Sequence, residues 1–108
     1  MTEEEKKYIM QPRAITRVGG KRYIEWIKEK ECLVCGVSGV DADHLKTIGM
    51  GGDRKKPHWE DYTCVPLCRH HHIERHTNWE KFEKKYRINL WKEAFRLLLR
   101  YITLENDK

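Results

Sequence analysis

Residues 64–76 read Cys64-Val65-Pro66-Leu67-Cys68-Arg69-His70-His71-His72-Ile73-Glu74-Arg75-His76, a short apolar run that turns into a polar, histidine-rich segment. The run from Tyr62 to Leu67 has the composition of a strand. Pro66 limits it, because proline offers no ladder donor and belongs at an edge or a strand end. From about Cys68 to His76 a helix is expected. At about 100° per residue, Cys68 and His71 centre on one direction and His72 and His76 on another roughly 90° away. His72 and His76, four residues apart, share one helical face and can grip one ion together. A single short helix can therefore serve two sites. His70 points away from both pairs and reads as a solvated surface residue.

Upstream, Cys32-Leu33-Val34-Cys35-Gly36 opens a tight, glycine-punctuated turn over residues 32–39. The pair Cys32-x2-Cys35 is followed, after 32 intervening residues, by the pair Cys68-x2-His71. Zinc takes four tetrahedral ligands, and thiolate or imidazole pairs two residues apart reach one ion from a turn or a helix start. Cys32, Cys35, Cys68 and His71 are thus the expected structural zinc ligands. Cys64 can replace Cys68 or His71 in principle, but Pro66 separates it from Cys68, and it reads as a buried strand thiol. Between the two pairs, Val40 to Leu45 is short enough for a strand that pairs with residues 62–67. Asp43 and His44 are neighbours on it, so their side chains point to opposite faces of a regular strand. One can approach a metal while the other faces the water to be activated, a task that suits histidine because its ordinary pKa lies near neutrality.

Composition sets the scale around these motifs. A chain of 108 residues, 39% hydrophobic and 36% charged, is one domain with a thin core. A large enzyme with separate cofactor and substrate domains is not expected at this length, and a metal is the natural supplement to such a core. A formal charge of +5 and a pI near 9.1 suit a polyanionic partner. Nothing resembles a signal peptide or a membrane span, so a cytoplasmic location and metal-binding rather than disulfide-bonded thiols are expected.

Residues 1–20 form a basic arm and residues 21–108 the folded domain. A helix is expected over Lys21 to about Lys30, where Tyr23, Ile24, Trp26 and Ile27 recur at helical spacing. Thr47 to Glu60, with three glycines, Pro57 and the cluster Asp53-Arg54-Lys55-Lys56, reads as a long loop that also contains His58. Asn78 can cap a helix from Trp79 to about Arg87, and Asn89 another from Leu90 to Thr103. On the latter, Leu90, Trp91, Ala94, Phe95, Leu98, Tyr101 and Ile102 form an apolar stripe that reads as core.

Taken together, Cys32-Leu-Val-Cys35-Gly, Asp41-Ala-Asp-His44, Val65-Pro-Leu-Cys68-Arg-His-His-His72 and His76 resemble the zinc-bearing branch of the HNH endonucleases, of the phage recombination-enhancement type. The similar stretch runs from about Tyr23 to about Leu90 and includes Gly49-Met-Gly-Gly52. The resemblance implies an α+β fold of the small ββα-metal kind, with a structural zinc knuckle and flanking helices. It implies His44 as general base, and Asp43, His72 and His76 as ligands of one catalytic divalent ion (Mg2+, Mn2+, Ni2+ or Zn2+). The family's middle residue, which orients the base or the metal, falls near Thr63. This is a departure from the usual Asn or His, and Asp61 is close enough to compete for the role.

The expected partner is DNA (duplex, nicked or single-stranded), with phage recombination or packaging proteins as further candidates and no membrane. Phosphate contacts would come from Arg54, Lys55, Lys56 and Arg69, with Arg13, Arg17, Lys21 and Arg22 of the arm region. Arg69, Arg75 or Lys46 can also lend positive charge near the reacting phosphate, or simply be solvated. Two other classes fit the same residues: a non-catalytic, zinc-stabilised nucleic-acid-binding module, and an assembly protein that uses the C-terminal apolar helix as its partner face.

Overall fold

The computed structural model describes residues 17–46 and 59–106. Within them the chain is α+β: helix α1 (Arg17–Lys28), strand β1 (Asp41–His44), a 3-10 turn (Trp59–Thr63), strand β2 (Cys64–Leu67), then helices α2 (Arg69–Thr77), α3 (Trp79–Tyr86) and α4 (Leu90–Asn106). The two strands pair antiparallel, with Asp41 opposite Leu67, Ala42 opposite Pro66, Asp43 opposite Val65 and His44 opposite Cys64.

That register sorts the side chains by face, because opposed residues of an antiparallel pair point the same way and successive residues alternate. Asp41, Asp43, Val65 and Leu67 share one face. Val65 and Leu67 are fully buried there in a cluster with Cys32, Val40, Leu45, Phe82, Leu90 and Ala94. Ala42, His44, Cys64 and Pro66 share the other, where Cys64 packs with Tyr23 and Ile27 of α1, and Ala42, Tyr62, Leu98 and Tyr101 pack around them. Tyr23 sits 5.0–5.7 Å, centroid to centroid, from Trp26, Tyr62 and Tyr101. The hairpin is thus held between α2 and α3 on one side and α1 on the other, and α4 contributes to both cores.

Local chemistry explains most boundaries. Asn78 Oδ1 accepts from the Lys81 amide at 3.0 Å, and Asn89 Oδ1 from the Lys92 amide at 3.0 Å, so both expected caps are made. Arg87 ends α3 in the left-handed region, at φ 52°. Pro66 is tolerated because a two-stranded sheet has a free edge on each strand. Its carbonyl accepts instead from Leu33 N at 3.1 Å, which ties the Cys32–Cys35 turn to β2.

Three expectations are corrected. First, α1 starts at Arg17 rather than Lys21 and runs through Gly19 and Gly20, despite glycine's poor helix propensity. The reason is tertiary: a Cβ on buried Gly20 would lie 2.5 Å from Asp61 Oδ2, so only glycine lets the helix lie this close. Second, β2 begins at Cys64, because residues 59–63 coil into the 3-10 turn. Third, the α4 stripe is only partly core. Leu90 and Ala94 are buried, whereas Trp91, Phe95 and Ile102 are exposed and, with Trp59, Tyr62 and Leu98, line an open apolar groove of about 430 Å³. No helix among the described residues is long and apolar enough to cross a membrane.

Candidate metal centres and the histidine pair

The first centre forms where the 32–39 turn meets the start of α2. Gly36 adopts φ 75°, its amide donates to the Cys32 carbonyl at 2.9 Å, and the Cys32 amide donates to Val37 O at 2.9 Å. This tight turn presents Cys32 and Cys35 together. Cys68 is the N-cap residue of α2, and one turn on, His71 returns beneath it. The four ligand atoms all lie within 4.8 Å of one another. Zinc–sulfur bonds of ~2.3 Å demand tetrahedral edges of ~3.8 Å between sulfurs and ~3.5 Å between sulfur and nitrogen. The Cys35–Cys68 edge is 3.8 Å, and the Cys32 Sγ–His71 Nδ1 edge is 3.6 Å. The Cys68 Sγ–His71 Nδ1 edge is tighter, at 3.1 Å.

The thiols behave as a ligand set should. Burial opposes ionisation of Cys32, but the backbone N–H groups of Cys35, Cys68 and Val34 outweigh it and pull its thiol down to about 6. At Cys35 the Val37 amide favours the thiolate, yet desolvation and the sulfurs of Cys32 and Cys68 overcome it and push the thiol up. Crowded sulfurs of this kind ionise together only around a cation. The residues fit a metal ion such as zinc. Cys64 is different: burial, with Asp61 and Asp43 nearby, pushes its thiol up to about 12, and it lies in the α1-facing core. It is the inert strand thiol expected from its position. The His71 ring meets Tyr86 edge-on at 5.3 Å, and Tyr86 donates to Glu74 at 2.6–2.8 Å, so the centre is braced between α2 and α3.

The second cluster uses the next turn of the same helix. Asp43, only 1% exposed, turns its carboxylate towards α2. Its Oδ1 is 3.2 Å from His72 Nε2 and 3.1 Å from His76 Nε2. Ligand atoms of these three residues lie within 4.8 Å of one another, an oxygen and two imidazole nitrogens open on one side. Behind His72, Asp41 Oδ2 lies 2.9 Å from Nδ1 and so fixes which ring nitrogen faces Asp43. Strand alternation made this legible: Asp41 and Asp43 are two residues apart and share a face.

Of the two readings the sequence left open for Arg75, burial excludes the solvated one. Arg75 is 5% exposed; its Nε donates to Asp43 Oδ2 at 2.7 Å and its Nη2 to Asp43 Oδ1. The guanidinium also lies 4.8 Å over the Trp79 ring. Position i+3 from His72 was the available signal. Arg69 is largely exposed and reaches Asp41 Oδ2 at 3.2 Å. His70 is exposed, as expected, beside the His71 ring. Arg54, Lys55, Lys56, His58 and Arg13 lie outside the described residues.

His44 stands apart from this cluster, on the opposite face of β1. Its Nε2 is 2.8 Å from Asp61 Oδ1. A carboxylate only accepts, so Nε2 is the donor, and Nδ1 is the nitrogen left for a proton acceptor's role. Thr63 does not fill the role expected near it. Its hydroxyl donates to Glu60 O at 2.7 Å and accepts from Lys46 N at 3.1 Å, closing the 3-10 turn onto the end of β1. The turn brings Asp61, two residues earlier, to the histidine instead.

The chain is 42% identical over 66 residues to a protein of Escherichia coli (strain K12) described as the uncharacterized protein YdfU. The match covers 61% of this chain and 18% of that protein, so the chain spans less than a fifth of its relative's length. No solved structure matches. A family profile described as "protein of unknown function (DUF968)" matches residues 2–101, nearly the whole chain, and the chain belongs to that family.

Proposed function

We propose that this chain is a metal-dependent DNA endonuclease of the HNH type, with β1, β2 and α2 as its ββα-metal unit. The observation that carries the reading is the convergence of Asp43, His72 and His76 on one face of β1, with the next residue, His44, paired with a carboxylate on the other. When bound, a divalent ion would supply Lewis-acid stabilisation of the charge that develops on the scissile phosphate. Asp43, His72 and His76 would hold it, and Asp41 would orient His72. His44 takes the proton of the attacking water on Nδ1. Asp61, bonded to the other ring nitrogen, keeps that tautomer and stabilises the imidazolium that results. Attack by water at phosphorus breaks the bond to the 3′ oxygen, which takes a proton from solvent as it leaves, giving 5′-phosphate and 3′-hydroxyl ends. Asp61 is a positioning residue, and Thr63 supports the turn that carries it.

DNA would be held through its phosphates, by the Arg54-Lys55-Lys56 segment and the exposed Lys21 and Arg22 of α1. A second reading, a zinc-stabilised binding module without catalysis, is favoured by one observation: Arg75 satisfies Asp43 without any ion.

Plasmid nicking by the zinc-loaded protein in Mg2+, Mn2+, Ni2+ or Zn2+ separates the two. Wild type is expected to cut, and His44→Ala to be slower by about 10²-fold or more. Undiminished cutting by pure His44→Ala would remove His44 from the mechanism. DNA binding without cutting in every metal would leave the binding module.

A further inference from the structure

The carboxylates of the second cluster are matched by guanidinium groups before any ion arrives. Asp43 faces Arg75, and Asp41 faces Arg69, so two carboxylates meet two guanidinium groups. A ligating imidazole brings no negative charge of its own. A guanidinium is a donor with no lone pair to offer, so neither arginine can join an ion as a ligand. Arg75 is also locked in place, forked onto Asp43 and stacked on Trp79.

An ion between Asp43, His72 and His76 must therefore share Oδ1 with the Arg75 guanidinium. The oxygen's two lone pairs allow it, but Arg75 Nη2 also lies 2.8 Å from His76 Nε2, whose single lone pair the ion must take over. Repulsion between a divalent ion and a fixed positive charge a few ångströms away opposes it, and no net negative charge among these groups compensates. What the cluster lacks is an anion.

We infer that this is an anion-completed metal site: a divalent ion and a phosphate oxyanion bind as a unit, and Arg75 sets that dependence. The inference rests on the reading of Asp43, His72 and His76 as metal ligands. It also accounts for Arg75 itself. A carboxylate as buried as Asp43 is costly without a partner, and Arg75 keeps it paired when no ion is present. Because coupling between two ligands is reciprocal, the metal tightens phosphate binding by the same factor that phosphate tightens metal binding.

Binding of Mn2+ to the zinc-loaded chain, followed by the EPR signal of free Mn2+, tests this without reference to cleavage. Titrations would be run alone, with inorganic phosphate and with a short DNA duplex, using His76→Ala as the baseline for ions held by the anion itself. The wild-type protein is expected to bind Mn2+ about tenfold more tightly with the duplex than alone, within the usual range of such couplings. Arg75→Met should bind Mn2+ about tenfold more tightly without an anion and lose most of the gain from adding one. Should that variant not fold, Arg69→Met removes the exposed partner of Asp41 and should shift affinity the same way, about two- to threefold. Equal wild-type affinity with and without anion overturns the inference and leaves the metal site intact. Absence of any His76-dependent Mn2+ binding under all conditions overturns the metal site itself. A gain from inorganic phosphate but none from duplex would overturn DNA as the source of the oxyanion.

Discussion

Asp41 touches no reacting atom in this scheme, yet it governs how His72 is presented. With Asp41 Oδ2 2.9 Å from Nδ1, the His72 ring can neither flip nor change tautomer without breaking a charge-assisted bond. Removing such a partner typically costs 10–100-fold in metal affinity. Asp41→Asn is therefore expected to weaken Mn2+ binding at the second site by about that factor, measured by the same EPR titration, with zinc content unchanged. An unchanged Mn2+ affinity would show that packing alone holds the ring. Asp61 plays the parallel role for His44, and Asp61→Asn should slow nicking while leaving Mn2+ affinity at wild-type strength. Loss of both together would place Asp61 in the metal site rather than behind the base.

Between elements, two devices place these residues. The first is the approach of α1 to the 3-10 turn at Gly20. A methyl group there meets Asp61 Oδ2 at 2.5 Å and its Cβ at 3.2 Å, and Asp61 is buried and already tied to His44. Gly20→Ala should cost about 1–3 kcal/mol, the usual range for overpacking, read as a fall in thermal midpoint. It should also reduce nicking by displacing Asp61. The second device is the Cys32–Cys35 turn, which joins β2 to the start of α2 through one four-residue set. Structural zinc supplies folding energy directly. Cys32→Ser, or treatment of the wild type with a strong chelator, should unfold the domain, seen as loss of helical circular dichroism. His76→Ala should stay folded, because its side chain is half exposed and lies outside both cores.

For the molecule as a whole, the thin core is divided by the hairpin. One half packs on α2 and α3, the other on α1, and α4 spans both. The duties in the proposed mechanism would be divided the same way, with Asp43 and the two α2 histidines on one face of β1 and His44 on the other. The proposed DNA contact would rest on the whole charge distribution, +5 in formal terms. The double variant Lys55→Ala with Lys56→Ala should weaken binding to all DNA sequences alike and flatten the dependence of affinity on salt, each lost contact reducing the slope by roughly one. A loss confined to particular sequences, in a gel-shift series, would contradict a phosphate-only role for these lysines.

Ligand spacing was local information, and the sequence alone determined it. The two Cys/His pairs, the His72–His76 repeat and the alternation of Asp43 and His44 each follow from a helix or strand period, and the caps at Asn78 and Asn89 from side-chain chemistry. What only the tertiary structure decided were the long-range partners of charged groups. Arg75 was indistinguishable from a surface residue until burial against Asp43 and Trp79 removed its water. Asp61 displaced Thr63 because the 3-10 turn, not the strand, faces His44. The two glycines joined a helix instead of ending an arm because Asp61 lies against Gly20. Trp91, Phe95 and Ile102 continue the apolar period of α4 beyond the surface that the described elements cover. Periodicity reports which residues share a face; it cannot report what, forty residues away, that face will meet.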